Sequence, residues 1–149
     1  MKDRFRFRAW NKNNKRMLYN IENAYDGSGV EDEKGNEVAD CSADCFSYFF
    51  PYDDDKNEKF IVEQCTGLKD KNGRLIYEND IVKITGDVMT MPLKYMDCLF
   101  KVIWADIGFC FEMLNENDGL GFCECWEYEV VGNIHENPEL LEDNNASKN

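Results

Sequence analysis

The 149-residue sequence contains no long hydrophobic run. Charges interrupt residues 1–8 at nearly every second position, whereas a secretion signal needs roughly 7–15 consecutive apolar residues. No stretch approaches the roughly 18 apolar residues of a membrane-spanning helix. We therefore expect a cytoplasmic protein with no membrane partner. The odd number of cysteines, seven, fits reduced thiols in that compartment.

The sequence also has few of the residues that carry catalysis and none of the familiar catalytic motifs. His135 is the only histidine, and it stands beside Glu136 at the end of the last predicted strand. A nucleophile elbow, a phosphate-binding loop and a zinc-protease motif are all absent. Thirty carboxylates make close acid pairs inevitable, so no pair is specific. We predict a protein without enzymatic activity and without a cofactor.

The cysteine spacing offers one candidate for metal binding. Cys41 and Cys45 have a spacing that suits half of a zinc site, and Asp40 and Asp44 add oxygen ligands. The second half would need Cys123 and Cys125, which a strand places on one face only two residues apart. Most cytosolic cysteines pack as small hydrophobic residues. We predict no metal site, and whether Cys41 and Cys45 bind a metal stays open.

Charge is distributed unevenly along the chain. The net charge is −13, with +6 in residues 1–20, −10 in 21–58, +1 in 59–103 and −10 in 104–149. A general nucleic-acid-binding protein usually carries a basic face, so the overall balance disfavours that class. Solubility, together with pairing of the basic first strand to acidic loops, is the simplest interpretation.

The first segment has the pattern of a β-hairpin. Residues 4–10 alternate strictly, with Arg4, Arg6 and Arg8 on one face and apolar side chains on the other, which is typical of a half-buried strand. Residues 11–15 have turn chemistry, and residues 17–19 return as a strand. The three arginines are candidate contacts for nucleic acid or for an acidic partner. Alternatively, these arginine side chains are simply solvated or paired to acidic residues.

The remainder divides into an irregular acidic region and a series of strands. Residues 23–58 are polar and acidic, with aromatic residues between 45 and 52 that we expect to pack on the body. Beyond Pro138, Leu140 and Leu141 predict a docked helical turn before a frayed tail. Predicted strands cover 59–65, 75–77, 81–84, 98–104, 109–113, 120–128 and 129–134. Short strands at this spacing indicate a small closed barrel or a sandwich.

Two expectations about burial follow from the same pattern. The strand 98–104 is apolar on both faces, so we expect it to be the most buried. Trp10 and Trp104 each close an apolar run, which favours burial over stacking on nucleic acid. Trp126 lies between Glu124 and Glu127, an acidic setting that repels phosphate. If Trp126 has a functional role, we expect it to contact a protein.

Three segments of this sequence, in order, resemble the YopX family. They are Phe7-Arg8-Ala9-Trp10, the stretch from Thr66 to Val82 with Lys69-Asp70-Lys71-Asn72-Gly73, and the closing stretch from Val131 to Leu141 with Gly132-Asn133-Ile134-His135-Glu136-Asn137. That family is known from phages and prophages of bacteria. The resemblance implies a phage or prophage origin and an SH3-like barrel over roughly residues 60–136, preceded by a smaller β-unit. It implies no activity and no active-site residue.

One departure from the family pattern concerns a turn. The family usually has glycine where Asn79 stands, before Asp80. Asparagine is the next best residue for a left-handed turn position, so we expect the turn to be kept.

Together these observations predict a mainly β fold with three regions. Residues 1–58 form an N-terminal β-hairpin with a long acidic loop, residues 59–137 an SH3-like small barrel, and residues 138–149 a tail. The predicted function is that of a phage or prophage accessory protein in the cytoplasm of the bacterial host. It is a non-enzymatic module that binds a protein partner, such as a host factor, through acidic stretches 26–58 and 112–143.

The alternative function is nucleic-acid binding by a small-barrel protein. It would use the basic N-terminal strand with Arg4, Arg6 and Arg8, and the nearby Lys12, Lys15 and Arg16. Homo-oligomerisation through an unpaired edge of the hairpin is a further alternative that the sequence leaves open.

Overall fold

The chain forms two compact units, residues 1–67 and 68–149. The computed structural model describes residues 5–26, 29–38, 49, 59–86, 92–106, 108–114, 116, 118–123 and 126–146. The units divide after Gly67, whereas the sequence pattern suggested a boundary before residue 59. The reason is that the strand beginning at Phe60 pairs with the first strand of the chain.

Nine strands and one α-helix make up the described fold. The strands are β1 Phe7–Asn11, β2 Arg16–Tyr19, β3 Phe60–Lys69, β4 Leu75–Tyr77, β5 Asp80–Gly86, β6 Leu99–Ala105, β7 Gly108–Met113, β8 Gly119–Leu120 and β9 Trp126–Asn133. The helix α1 is Glu139–Ala146, and short 3-10 helices cover Ile21–Asp26 and Leu93–Tyr95. The strand orders are β2-β1-β3-β4 and β8-β7-β6-β5-β9. The predicted mainly β small-barrel fold is confirmed, and the five-stranded sheet is a half-barrel.

In the first unit, the predicted hairpin of β1 and β2 is present. The strands are antiparallel from Arg8 opposite Tyr19 to Asn11 opposite Arg16. The Asn11 side chain closes the turn, because its Oδ1 accepts the backbone N–H of Asn13 at 3.0 Å. Lys15 takes the left-handed backbone conformation, with φ of 57°.

The first strand is buried on both faces, so the prediction of a half-buried strand is wrong. β1 lies between β2 and β3 and is therefore a central strand. Ala9 faces one buried cluster, while Trp10 on the opposite face is only 6% exposed. The cluster contains Ala9, Leu18, Ile21, Val30, Phe49 and Phe60, with Phe7, Val38 and Val62 packed against it.

A buried ion pair joins β1 to β3. Arg8 Nε lies 2.7 Å from Glu63 Oε2, and each side chain is only 1% exposed. The two residues face each other in the strand register although 55 positions separate them in the chain. Burying either charge alone is costly, so each one requires the other. The predicted pairing of the basic strand to acids is thus found at Arg8.

We predict that Arg8→Met destabilises the protein by about 3–5 kcal/mol, because it removes the cation that lies 2.7 Å from the buried Glu63 carboxylate. The double variant Arg8→Met/Glu63→Leu should recover a large part of that loss. Urea unfolding followed by circular dichroism measures both. A double variant at least as unstable as the single one would contradict the assignment.

In the second unit, β5 is an inner strand of the half-barrel. It pairs with β6 on one side and with β9 on the other, with a bulge between Ile81 and Val82. The core is filled by side chains from the inner face of the sheet, together with Ile76 of β4 and Tyr95 of the second 3-10 helix. Those of the sheet are Val82, Ile84, Phe100, Val102, Phe111, Met113, Tyr128 and Val130.

The turn between β3 and β4 is attached to the outer strand of the half-barrel. Asp70 Oδ1 accepts the backbone N–H groups of Asn72 and Arg74, each at 2.9 Å. Asp70 Oδ2 accepts the N–H of Val130 at 3.1 Å. The N–H of Lys71 donates to the carbonyl of Tyr128 at 2.8 Å. One buried carboxylate therefore shapes the turn and fixes it to β9.

The next turn confirms the expectation for Asn79. Its φ is 63°, the left-handed conformation that the family's usual glycine would adopt freely. Its N–H donates to the carbonyl of Val102, and its carbonyl accepts the N–H of Ile134. The adjacent Asp80 is buried and accepts the N–H of Tyr77 at 2.8 Å.

Three details differ from the sequence-based expectation. The strand over 98–104 is not the most buried, because only Phe100 and Val102 of β6 are fully buried while its other residues face outward or lie at the sheet end. The predicted strands 120–128 and 129–134 are instead the two-residue β8 and the continuous β9. The C-terminal helical turn continues to Ala146, so part of the expected tail is helical.

The loop after β9 is built on side-chain hydrogen bonds. Asn133 is fully buried, and its Oδ1 accepts the N–H groups of His135 and Glu136. Asn137 Oδ1 accepts the N–H of Asn133 at 3.2 Å. A Cβ at Gly132 would lie 2.5 Å from that same oxygen. Glycine is required there because the Asn137 side chain occupies the space.

We predict that Gly132→Ala lowers the free energy of unfolding by about 1–3 kcal/mol through this overlap. Gly121→Ala is the matched control, because a Cβ there meets nothing within 4 Å. Thermal unfolding of the two variants measures the difference. Equal midpoints would show that the loop moves away at no cost.

Candidate functional site

The structure separates the basic residues that the sequence suggested as a contact surface. Arg8 is buried against Glu63, so its assignment to an exposed face is wrong, and Arg4 lies outside the described residues. Arg6 is exposed just before β1, and its carbonyl accepts the N–H of Cys65. Lys15 is exposed at the other end of the hairpin. A strand rises about 3.3 Å per residue, so Arg6 and Lys15 lie at opposite ends of β1.

Arg16, beside Lys15, also has an acidic neighbour. Its guanidinium lies 3.4 Å from Asp32, whose carboxylate organises a turn by accepting the N–H groups of Lys34 and Asn36. Those hydrogen bonds, led by the one from Asn36, lower the pKa of Asp32 and keep it charged. The hairpin tip is therefore not an uninterrupted basic surface.

The most distinctive exposed feature is an aromatic pair formed by Trp104 and Phe109. Trp104 is 57% exposed, which is unusual for tryptophan. The two rings meet edge to face with their centroids 4.7 Å apart. Such contacts fix the orientation of both rings. The pair presents a rigid apolar surface to solvent.

The hairpin of β6 and β7 positions this pair. Trp104 and Phe109 face each other across the hairpin, next to the closing pair Ala105 and Gly108. Period-two alternation puts Trp104 on the same face as the buried Phe100 and Val102. The pair thus continues the inner face of the half-barrel to its end, where the sheet no longer covers it.

One of the three tryptophans differs from expectation. Trp10 is buried, as expected, whereas the predicted burial of Trp104 is wrong because it stands at the end of the sheet. Trp126 is half-buried and packs against the core of the second unit. A protein contact at Trp126 stays a prediction.

The sequence around the aromatic pair is strongly acidic. Residues 104–147 contain eleven Asp and Glu and no Lys or Arg. Asp106 is exposed in the turn of the hairpin itself. On the outer face of the sheet, Glu112 has only a distant partner, since its Oε1 lies 3.8 Å from Lys101 Nζ. An apolar centre with an acidic surround suits a basic protein surface.

A charged clamp fixes the short outer strand β8. Asp118 Oδ2 lies 2.6 Å from Lys94 Nζ and accepts the hydroxyl of Tyr95 at 3.1 Å. These contacts, led by the bond from Lys94, lower the pKa of Asp118, and the same bond raises the pKa of Lys94. The carbonyl of Asp118 accepts the N–H of Met113. The clamp therefore sets where β8 begins.

No metal or thiol chemistry is assembled in the described residues. They contain no group of three His, Cys, Asp or Glu side chains that could hold a metal ion. Four described cysteines are free thiols, and burial followed by the nearby Glu112 raises the pKa of Cys110, which disfavours its nucleophilic form. Cys41 and Cys45 lie outside the described residues. His135 is half-buried within the loop after β9.

The protein-family comparison identifies the chain. A model of the YopX protein family matches residues 6–142. This chain belongs to the YopX family. The SPbeta prophage-derived uncharacterized protein YopX of Bacillus subtilis (strain 168) is 34% identical over 74 residues, which is 47% of this chain and 52% of that relative. The matched segment thus spans about half the length of that relative.

Two solved structures are similar over nearly the whole chain. The crystal structure of protein EF1440 from Enterococcus faecalis is 34% identical, with a TM-score of 0.50 over 91% of this chain and 96% of that chain. The crystal structure of protein yopX from Bacillus subtilis is 22% identical, with a TM-score of 0.51 over 92% and 98% of the two chains. The second likeness shows the fold alone. Among the helices that the structure describes, none is long and apolar enough to cross a membrane.

The motifs that carry the YopX resemblance have structural roles. Asp70 organises the first turn, Asn79 takes a left-handed conformation, and Asn133 and Asn137 build the loop after β9. None of these side chains belongs to the aromatic pair. The family signature therefore describes how the chain folds.

We predict that Trp104 dominates the long-wavelength fluorescence of the protein, because an exposed indole emits at longer wavelength than a buried one. Trp104→Phe should shift the emission maximum to shorter wavelength and reduce quenching by acrylamide. Trp10→Phe is the matched control, since it removes a buried ring and should shift the maximum the other way. An unchanged maximum in Trp104→Phe would contradict the exposure of this side chain.

Proposed function

We propose that this chain is a prophage accessory protein that acts as a non-enzymatic protein-interaction module in the bacterial cytoplasm. Its contact is centred on the aromatic pair Trp104 and Phe109, and its partner presents a basic surface. The prophage origin of the similar Bacillus subtilis protein supports the assignment to a prophage. The single observation that carries the proposed contact is the exposure of Trp104 on a rigid hairpin.

The geometry of the pair supports a protein partner. Tryptophan is strongly enriched among the few residues that supply most of the binding energy in protein interfaces. The edge-to-face contact with Phe109 orders the Trp104 ring before binding, so less conformational entropy is lost on association. The acidic surround adds attraction toward a basic surface and disfavours nucleic acid, whose phosphates it would repel.

The nucleic-acid alternative has less support from the described residues. Arg8 is neutralised by Glu63, and Arg16 lies beside Asp32. The remaining basic positions of the hairpin stand at its two ends. A continuous basic stripe of the kind that follows a phosphate backbone is not formed by these residues.

Affinity capture from the bacterial host tests the proposed function. The full chain, tagged and expressed in host cells, should retain a basic protein, and retention should fall when salt is raised from roughly 0.05 to 0.5 M because charge attraction is screened. Trp104→Ala should weaken binding of the purified partner by about 30-fold or more, the effect expected when an interface loses its central tryptophan.

Leu93→Ala is the matched control for the capture experiment. Leu93 is 84% exposed, so its removal also takes a large apolar side chain from the surface of the same unit. Binding should be unchanged in Leu93→Ala. Equal binding by Trp104→Ala, or a low-salt mobility shift of DNA by the wild-type protein, would overturn the proposed function.

A further inference from the structure

The strand β7 has one edge that β8 covers only in part. β8 is two residues long and pairs with Phe111 and Glu112 of β7. The clamp at Asp118 extends this pairing to Met113, whose N–H donates to the carbonyl of Asp118 at 2.9 Å. The other half of β7, Gly108 to Cys110, lies beyond the reach of these pairs.

The direction of the backbone groups at this edge follows from the antiparallel ladder. Alternate residues of a strand point their N–H and C=O groups to the same side. The Met113 N–H points toward β8, whereas the Leu114 N–H donates toward β6, to the carbonyl of Leu99. The register between β6 and β7 runs unbroken from Met113 to Gly108. The N–H and C=O of Phe109 therefore point away from β6, on the side that β8 does not reach.

Two other sheet edges in the described residues carry backbone partners. On β9, the carbonyl of Tyr128 is bound by Lys71 and the N–H of Val130 by Asp70. In the first unit, Tyr19 of the edge strand β2 exchanges both backbone hydrogen bonds with Glu31, at 2.7 and 3.0 Å. Proteins commonly cover sheet edges in this way to prevent unwanted pairing. The edge at Phe109 differs because it stands beside an exposed aromatic pair.

The side chains at this edge define what could occupy it. Phe109 projects to the inner face, where it contacts Trp104, while Cys110 and Glu112 project to the outer face. A strand added beside β7 would alternate in the same way, because its side chains share the two faces. Its inward residues would meet the aromatic pair. Its outward residues would lie near the exposed Asp106 of the hairpin turn and near Glu112, whose carboxylate is 3.8 Å from Lys101.

We infer that β7 accepts an extended peptide segment of a protein partner as an additional antiparallel strand, and that the segment alternates apolar and basic residues. Its apolar residues pack on Trp104 and Phe109, and two backbone hydrogen bonds form with Phe109. A second copy of this chain fits less well, because two edges with this acidic surround would repel each other. This inference rests on the proposed function and specifies its binding mode.

Peptide binding followed by NMR tests the inference on the full chain. The probe is a five-residue peptide that alternates valine and lysine, so that it is short beside β8. At saturation it should slow hydrogen exchange of the Phe109 amide by about tenfold or more, because that N–H gains a partner. The Cys110 amide, which points toward β6, is the internal control and should not change. The same peptide with glutamate in place of lysine should bind at least about tenfold more weakly.

Backbone methylation of the probe tests the strand geometry. Residues directly opposite each other share a face, so the valine opposite Phe109 is the one whose N–H points at β7. Methylating the valine nitrogens should abolish binding, whereas methylating the lysine nitrogens should leave it within about twofold. Equal effects of the two methylated peptides would overturn the inference.

The remaining outcomes also decide the matter. Binding without protection of Phe109 overturns the added strand, as does an absence of peptide binding at millimolar concentration. Protection of Phe109 that grows with protein concentration and without peptide shows that a second copy occupies the edge. In each of these cases, capture of a basic protein that depends on Trp104 can persist. The failure of this inference is therefore distinguishable from failure of the proposed function.

Discussion

The second unit depends on the buried carboxylate of Asp70. Its two oxygens accept three backbone N–H groups, two within its own turn and one from Val130, which lies 60 positions further along the chain. Hydrogen bonds to an ionised acceptor are stronger than neutral ones, and a buried carboxylate needs them to offset its lost hydration. By holding the turn on β9, Asp70 covers the outer edge of the half-barrel. At the other end of the sheet, the short β8 pairs with only Phe111 and Glu112 of β7.

Local chemistry made much of this fold predictable. Alternation and turn residues indicated the hairpin, β4, β5 and β7, because those signals lie within a few neighbouring residues. The left-handed conformation at Asn79 was expected from residue type alone and is confirmed. What alternation cannot tell is whether the second face of a strand meets solvent. Arg8 shows this: it is buried against Glu63, its register partner on β3, and β3 begins more than fifty residues later.

The candidate site was missed for a related reason. An apolar run indicates burial only where the sheet has neighbours on both sides, and Trp104 is the last inward-facing residue before the hairpin turn. The signal that could have found it is the turn signal of Asp106 and Gly108 directly after the run. Trp126 was favoured because acids flank it in sequence, but its ring packs on the core. The exposure of an aromatic ring depends on the assembled sheet, so the neighbouring residues in the sequence predict it poorly.

The long sequence separations in both units have a consequence during translation. Arg8 meets Glu63 across 55 positions, and Asp70 meets Val130 across 60. Contacts this distant make folding slow compared with helical proteins of the same size. The first three strands of the chain can pair once β3 has left the ribosome, but the half-barrel must wait until β9 has been made. Until then, the apolar strands β5 to β7 lack β9, which pairs with β5 in the folded sheet. We therefore expect chaperones to bind this nascent segment.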